Sequence, residues 1–132
     1  MGAWGIGSFD NDDALDWVIE LEASDDLSVI QEALQDVIAL ADDTLDATEC
    51  CRGIAAAEVI AALRGQAKFA DSDAAAAWVE VHRDLDTSAI VPEAQRALQI
   101  ILTESELQEL WADSDDYDAW VAAMNDLQMR LG

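Results

Sequence analysis

The side chains in this sequence with the types and spacing to do chemistry are carboxylates. Asp10, Asp12, Asp13 and Asp16 crowd one short stretch, and carboxylate oxygens are the ligands that hard divalent cations take. Asp10 and Asp12 fit the first two ligand positions of a calcium loop. The pattern then breaks: Ala14 holds the third ligand position, Leu15 replaces the required glycine, and Leu21 stands where the closing Glu belongs. A second acidic run, Asp113, Asp115, Asp116 and Asp118, fails in the same way, with Tyr117 in a ligand slot and no glycine. A metal site here would need carboxylates converging from different helices, as some bundles arrange them, and Glu58 would be the contribution from elsewhere in the chain. The plainer chemistry of Asp10 to Asp13 is helix capping. An Asp at the N-cap accepts from a first-turn N–H, and further carboxylates suit the positive end of the helix dipole.

Other chemistry finds little support. Cys50 and Cys51 are neighbours, which on a helix precludes an ordinary disulfide and lacks the spacing of a zinc or redox pair. They read as small core hydrophobes. His82 is the only histidine. On a helix its neighbours Glu80 and Asp84 do not converge with it, so it reads as a surface or half-buried residue. No nucleophile–base pair, phosphate loop or dinucleotide fingerprint occurs. An enzyme therefore ranks below a binding role; no catalytic residue and no cofactor are assigned.

The elements that must position these carboxylates begin with an unusual opening. Gly2, Gly5 and Gly7 punctuate a stretch anchored by Trp4, Ile6 and Phe9. Glycines at this density disfavour helix and strand and let backbone approach closely. The stretch reads as a coil laid against the body, with backbone N–H groups that need partners if buried. Glu58 is its counterpart. It lies inside an otherwise apolar run, and a buried carboxylate must be paired or hydrogen-bonded. Arg52 and Arg64 are both six residues away, outside the spacings at which helical side chains face each other. The expectation is that Glu58 accepts hydrogen bonds from the backbone of residues 2–8. Trp4, Gly5, Gly7, Phe9 and Glu58 are thus read as structural residues.

Met1–Gly5 and Phe9–Ala14 also carry a resemblance. The opening Met-Gly-x-Trp-Gly followed by Phe-x-Asn-Asp-Asp-Ala resembles a bacterial family known only as a domain of unknown function. Ala56–Gly65 and Ser105–Trp111 are similar to the same family. The resemblance implies a small helical bacterial domain and no activity.

Charge excludes more than motifs do. The chain holds 29 acidic and 6 basic residues, a net charge of −23 over 132 residues. Nucleic-acid affinity rests on Lys and Arg neutralising phosphates, and anionic membrane surfaces attract the same residues. Neither partner suits this chain. Basic proteins and divalent cations do. No segment is long and apolar enough to span a membrane, and no signal peptide or myristoylation pattern is visible, so a cytoplasmic protein is expected.

The length predicts a single domain over 1–132, and 52% hydrophobic residues supply its core. Apolar periodicity predicts an all-α bundle of about six or seven helices. Ala14, Trp17, Val18 and Leu21 make one stripe. Leu27 to Ala41 make another, capped by Ser24 or Asp25. Residues 47–64 are apolar nearly all round, which marks a central buried helix, with Gly65 placed at its C′ position. Ala74, Ala77, Trp78 and Val81 form the inner side of a helix ending near Arg83. Pro92 opens the next, which ends near Leu102. Thr103 with Glu106 has capping-box spacing, and Ser114 or Asp115 is expected to cap the final helix.

Three functions fit these features. The first is a small acidic interaction module for a basic protein partner, of inhibitor or immunity type. The second is a divalent-metal-binding or metal-assisted hydrolytic domain using Asp10, Asp12, Asp13 and Asp16. The third is an accessory protein whose acidity serves only solvation. A single dense acidic patch beside a shallow apolar groove favours the first, and acidity spread evenly over all exposed faces favours the third.

Overall fold

A computed structural model describes residues 12–40, 46–65 and 73–131. Trp4, Gly5, Gly7, Phe9 and Asp10 lie outside the described residues, as does the expected link from residues 2–8 to Glu58. Seven helices follow one another: α1 Asp12–Glu22, α2 Ser28–Ala39, α3 Ala47–Leu63, α4 Asp73–Val81, α5 Val91–Glu104, α6 Glu106–Ala112 and α7 Tyr117–Leu131. No strand occurs among the described residues. The all-α bundle expected from periodicity is therefore the fold.

α3 is the axis of the bundle. It contacts each of the other six helices. All its residues from Gly53 to Leu63 are buried, as are Cys50 and Cys51. Six buried helix faces cannot be met by large side chains. Ala55, Ala56, Ala57, Ala61 and Ala62 keep the helix thin enough for close approach, and Gly53 takes this furthest against α2. A Cβ built there would stand 2.8 Å from Val37 Cγ2 and 3.4 Å from Ile101 Cδ1. Gly65 ends the helix at φ +87°, the left-handed conformation that glycine adopts at C′.

Three details differ from the sequence reading. The turn before α2 is closed by Asp26, not by Ser24 or Asp25. Asp26 Oδ1 accepts from Ser28 N at 2.9 Å and from Ser28 Oγ at 2.6 Å, while Ser24 Oγ donates to Asp26 O. The cap of α6 is Ser105, not Thr103. Thr103 sits within the last turn of α5 and donates back to Gln99 O. Ser105 has extended backbone, accepts from Gln108 N at 3.0 Å and donates to Ile101 O. One residue two positions on can cap only because α5 runs to Glu104, two residues past Leu102.

The third difference is the facing of α4, which ends at Val81, short of Arg83. Ala75, Trp78 and Val79 are its buried residues, whereas Ala77 is exposed and Val81 is 79% exposed. Ala75 and Val79 are four apart and share a face toward α1 and α3, the two helices that α4 packs against. Trp78 fixes this setting, since its Nε1 donates to Ser24 O at 2.8 Å.

Candidate functional site

The N-terminal carboxylates are spread along the start of α1. Asp12 and Asp16 are exposed and Asp13 is half-buried. Among the described residues no group of three His, Cys, Asp or Glu side chains is arranged to hold a metal ion.

Glu58 is 2% exposed, and its carboxylate meets Arg130 in the last turn of α7. Arg130 donates from both terminal nitrogens, at 2.7 Å to Oε1 and 3.0 Å to Oε2, and its Nε donates to Asp126 Oδ2 at 2.9 Å. The planar guanidinium matches the carboxylate fork, which makes the pair directional as well as charged. Burial alone would lower the Arg130 basicity. The hydrogen bonds and charges of Glu58 and Asp126 outweigh it and hold the guanidinium above its ordinary value. Arg130 is the partner that spacing along α3 missed. One signal for it existed: an arginine between Leu127 and Leu131 on the inward stripe of α7 needs an acid somewhere in the core.

His82 is half-buried. It stacks on Trp78 with ring centroids 4.1 Å apart, and its Nδ1 donates to Trp78 O at 2.8 Å. A carbonyl can only accept, so the proton belongs on Nδ1. Nε2 looks toward Asp25 Oδ1 at 3.9 Å. No nucleophile completes the set, and the arrangement fastens α4 to the α1–α2 turn. Cys50 and Cys51 are both free and buried. Burial pushes the Cys50 thiol up to about 11 and, with the charge of Asp13 second, the Cys51 thiol up to about 12. Thiols so held are packing groups, since the nucleophile is the thiolate.

One strongly charged surface belongs to α1 and α2; another runs from Glu106 to Asp118, where six carboxylates are exposed. The first 51 residues contain fourteen Asp and Glu and no Lys or Arg. On the two helices and their turn, Asp12, Asp16, Glu20, Glu22, Asp25, Asp26, Glu32 and Asp36 are all exposed. The helices are legible as the cause. Each buries one apolar stripe against α3, so the intervening polar positions fall outward, and in this segment most of them are acidic, the others being Ser24, Ser28, Gln31 and Gln35.

A small cleft of about 50 Å³ opens within this face, between α1, α2 and the start of α3. Glu20, Glu32 and Asp36 border it with Trp17, Ala33 and Arg52. Helical spacing builds it: Trp17 and Glu20 are one turn apart on α1, as are Glu32 and Asp36 on α2. The Trp17 indole Nε1 and the Arg52 Nε are both buried without an acceptor. A buried donor left unpaired costs about 1–3 kcal/mol, so two at one cleft are notable. Sequence reading weighed Arg52 only as a partner for Glu58. Nothing in its position shows that it turns instead toward α1 and α2.

None of the described helices is long and apolar enough to cross a membrane. No curated protein and no solved structure matches the chain. One family model does, over residues 2–123. With nearly its whole length matched, the chain belongs to the family described as Domain of unknown function (DUF4259).

Proposed function

We propose that this protein is a small acidic interaction module that binds a basic protein partner, as an inhibitor or immunity-type protein does. The observation that carries this reading is the α1–α2 face, with eight exposed carboxylates and no cation between Asp12 and Asp36. What supports it over acidity for solvation alone is that Glu20, Glu32 and Asp36 among these carboxylates border a cleft between two neighbouring helices, whereas charges of both signs, interspersed, would solvate equally well. Such a face accelerates encounter with a basic surface and rejects acidic ones. Two reduced, buried thiols suit the cytoplasmic setting expected for it.

The test is capture from native lysate on immobilised protein at about 50 mM and about 500 mM NaCl, concentrations that bracket strong and weak screening. Wild type is compared with a variant neutralised at Glu20, Glu32 and Asp36 by Gln and Asn. The expected result is a basic protein retained at low salt, released at high salt, and lost with the neutralised variant. Recovery of no basic protein at low salt, or equal recovery by both forms, would overturn the reading.

A further inference from the structure

We propose that the groove between α4 and the C-terminal end of α1 takes an amphipathic helix of a basic partner, with the partner's apolar side chains on Ala77, Trp78 and Val81 and its Lys and Arg against Glu22 and Asp25. This deepens the reading above and rests on it: the acidic module gains an apolar seat for the partner that its charge attracts.

The composition of α4 makes the seat. Ala74, Ala77 and Val81 are three and four residues apart and share one side of the helix, next to the side that Ala75 and Val79 bury. α4 is thus apolar over two adjoining sides, a pattern that belongs to a helix covered on both. Among the described helices only α1 and α3 pack on it, and Ala77 stays exposed and Val81 79% exposed. These apolar groups are not scattered. With Glu22, Trp78 and His82 they line one open groove of about 310 Å³. An exposed apolar patch rimmed by polar residues marks an interaction site.

The rim selects the partner. Glu22 borders the groove directly, and no Lys or Arg stands among its described lining residues. Asp25 lies in the adjoining turn, fully exposed, with Oδ1 3.9 Å from Nε2 of His82 on the groove wall. The Trp78 Nε1 bond to Ser24 O, 2.8 Å long, ties the apolar floor to this acidic turn, so the two form one surface. A second copy docked across a two-fold axis would set Glu22 and Asp25 against themselves, and like charges so placed oppose binding. An anionic membrane meets the same repulsion. A basic amphipathic helix answers both the apolar floor and the acidic rim, by the helix-in-groove mode of recognition. Size agrees. The groove's 310 Å³ far exceeds the about 10–15 Å³ that one water needs on that measure, which leaves room for apolar side chains from successive turns.

The experiment uses the full-length protein and a synthetic helical peptide of about 14 residues, roughly four turns, with leucines on one face and lysines on the other. A control peptide of the same charge carries serine in place of every leucine. Fluorescence anisotropy follows both at about 50 mM and about 500 mM NaCl. The expected result is that the leucine peptide stays bound at high salt and the serine peptide is released. Val81→Ser, at an exposed position, weakens the leucine peptide about tenfold at high salt, as the loss of one buried apolar contact implies. Met129→Ser, on an exposed position of α7, a helix without contact to α4, leaves it unchanged. Glu22→Gln slows association at low salt. Equal binding by wild type and Val81→Ser, or release of both peptides at high salt, overturns the proposal. So does a wild-type dimer in sedimentation that Val81→Ser dissolves, which makes a second copy the occupant. Overhauser contacts from the Val81 methyls to Trp4 or Phe9 also overturn it, by giving the groove to this chain's own opening residues. The lysate capture keeps the two proposals apart. A basic protein held equally by wild type and Val81→Ser rejects the groove and keeps the acidic interaction face. Peptide binding that depends on Val81, without any captured basic protein, does the reverse.

Discussion

Glu58 and Arg130 are 72 residues apart in sequence and joined at 2.7 and 3.0 Å across the bundle. The pair ties the middle of α3 to the last turn of α7. Removing one member of such a pair takes the counter-charge from the other, which costs roughly 3–5 kcal/mol. Arg130 keeps some exposure, 16% at its side chain, so Arg130→Met should fall toward the low end of that range. Urea unfolding measures it. Adding Glu58→Leu to Arg130→Met should recover part of the loss, because the buried carboxylate that lost its counter-charge goes as well. A double variant as unstable as the two single losses added together would show that the residues act independently.

Gly53→Ala tests how tightly α2 lies on α3. The new methyl would meet Val37 Cγ2 at 2.8 Å, and Val37 is fully buried. Overpacking of this kind costs roughly 1–3 kcal/mol, against a helix-propensity gain of about 1 kcal/mol for replacing glycine. The net expectation is a lower Tm. Val37→Ala in the same chain should restore part of it by vacating the space. A Tm raised by Gly53→Ala alone would mean that the two helices sit further apart.

The two thiols should be silent toward a thiol reagent in the native protein at pH 8 and should both react once it is unfolded. Their folded values, about 11 for Cys50 and about 12 for Cys51, stand above the ordinary 9.0. Both raised values follow first from burial, which disfavours the thiolate. The stability they contribute is fully present below about pH 9 and is lost as the pH rises toward those folded values. A fast native reaction of either thiol would contradict its burial.

At acid pH the sign reverses. Asp26 and Asp86 are held below the ordinary 3.8, each first by the hydroxyl and then by the backbone N–H of the serine two residues on, Ser28 and Ser88. Depressed carboxylates contribute stability above their unfolded value, and it disappears as the pH falls below about 3.8 through the folded one. Ser28→Ala and Ser88→Ala should each move the corresponding Asp titration upward, followed by carboxyl carbon-13 shifts. An unmoved titration would mean that the serine hydroxyl contributes nothing to it.

Periodicity carried most of the fold. The stripe of Ala14, Trp17, Val18 and Leu21 is buried throughout, and α3 was recognisable because apolar residues left no polar side. Caps shifted by one or two residues, because Asp26 and Ser105 had equally suitable neighbours in Ser24 and Thr103. α4 was turned because four consecutive alanines before Trp78 give no preference between faces. Glu58 announced its need for a partner by its surroundings. The identity of that partner depended on how α7 docks, which no local spacing encodes. The cleft was hidden for the same reason: Trp17 belongs to the apolar stripe by position, and only the packed helices show that its N–H has nothing to bond to.

The place of α3 among all six other helices has a consequence for how this protein comes apart. Every other helix loses part of its buried face when α3 leaves, so openings that release it are expected to amount to loss of the bundle. Amide protons in the middle of α3, around Ala56 to Ile60, should therefore exchange with solvent only as fast as the entire molecule unfolds. Those of α4, which rests on two helices alone, should exchange through smaller and more frequent openings. A chain carrying this much like charge thus keeps its cooperativity in a single spindle of small residues, and salt that screens the surface should slow exchange there as well as at the rim.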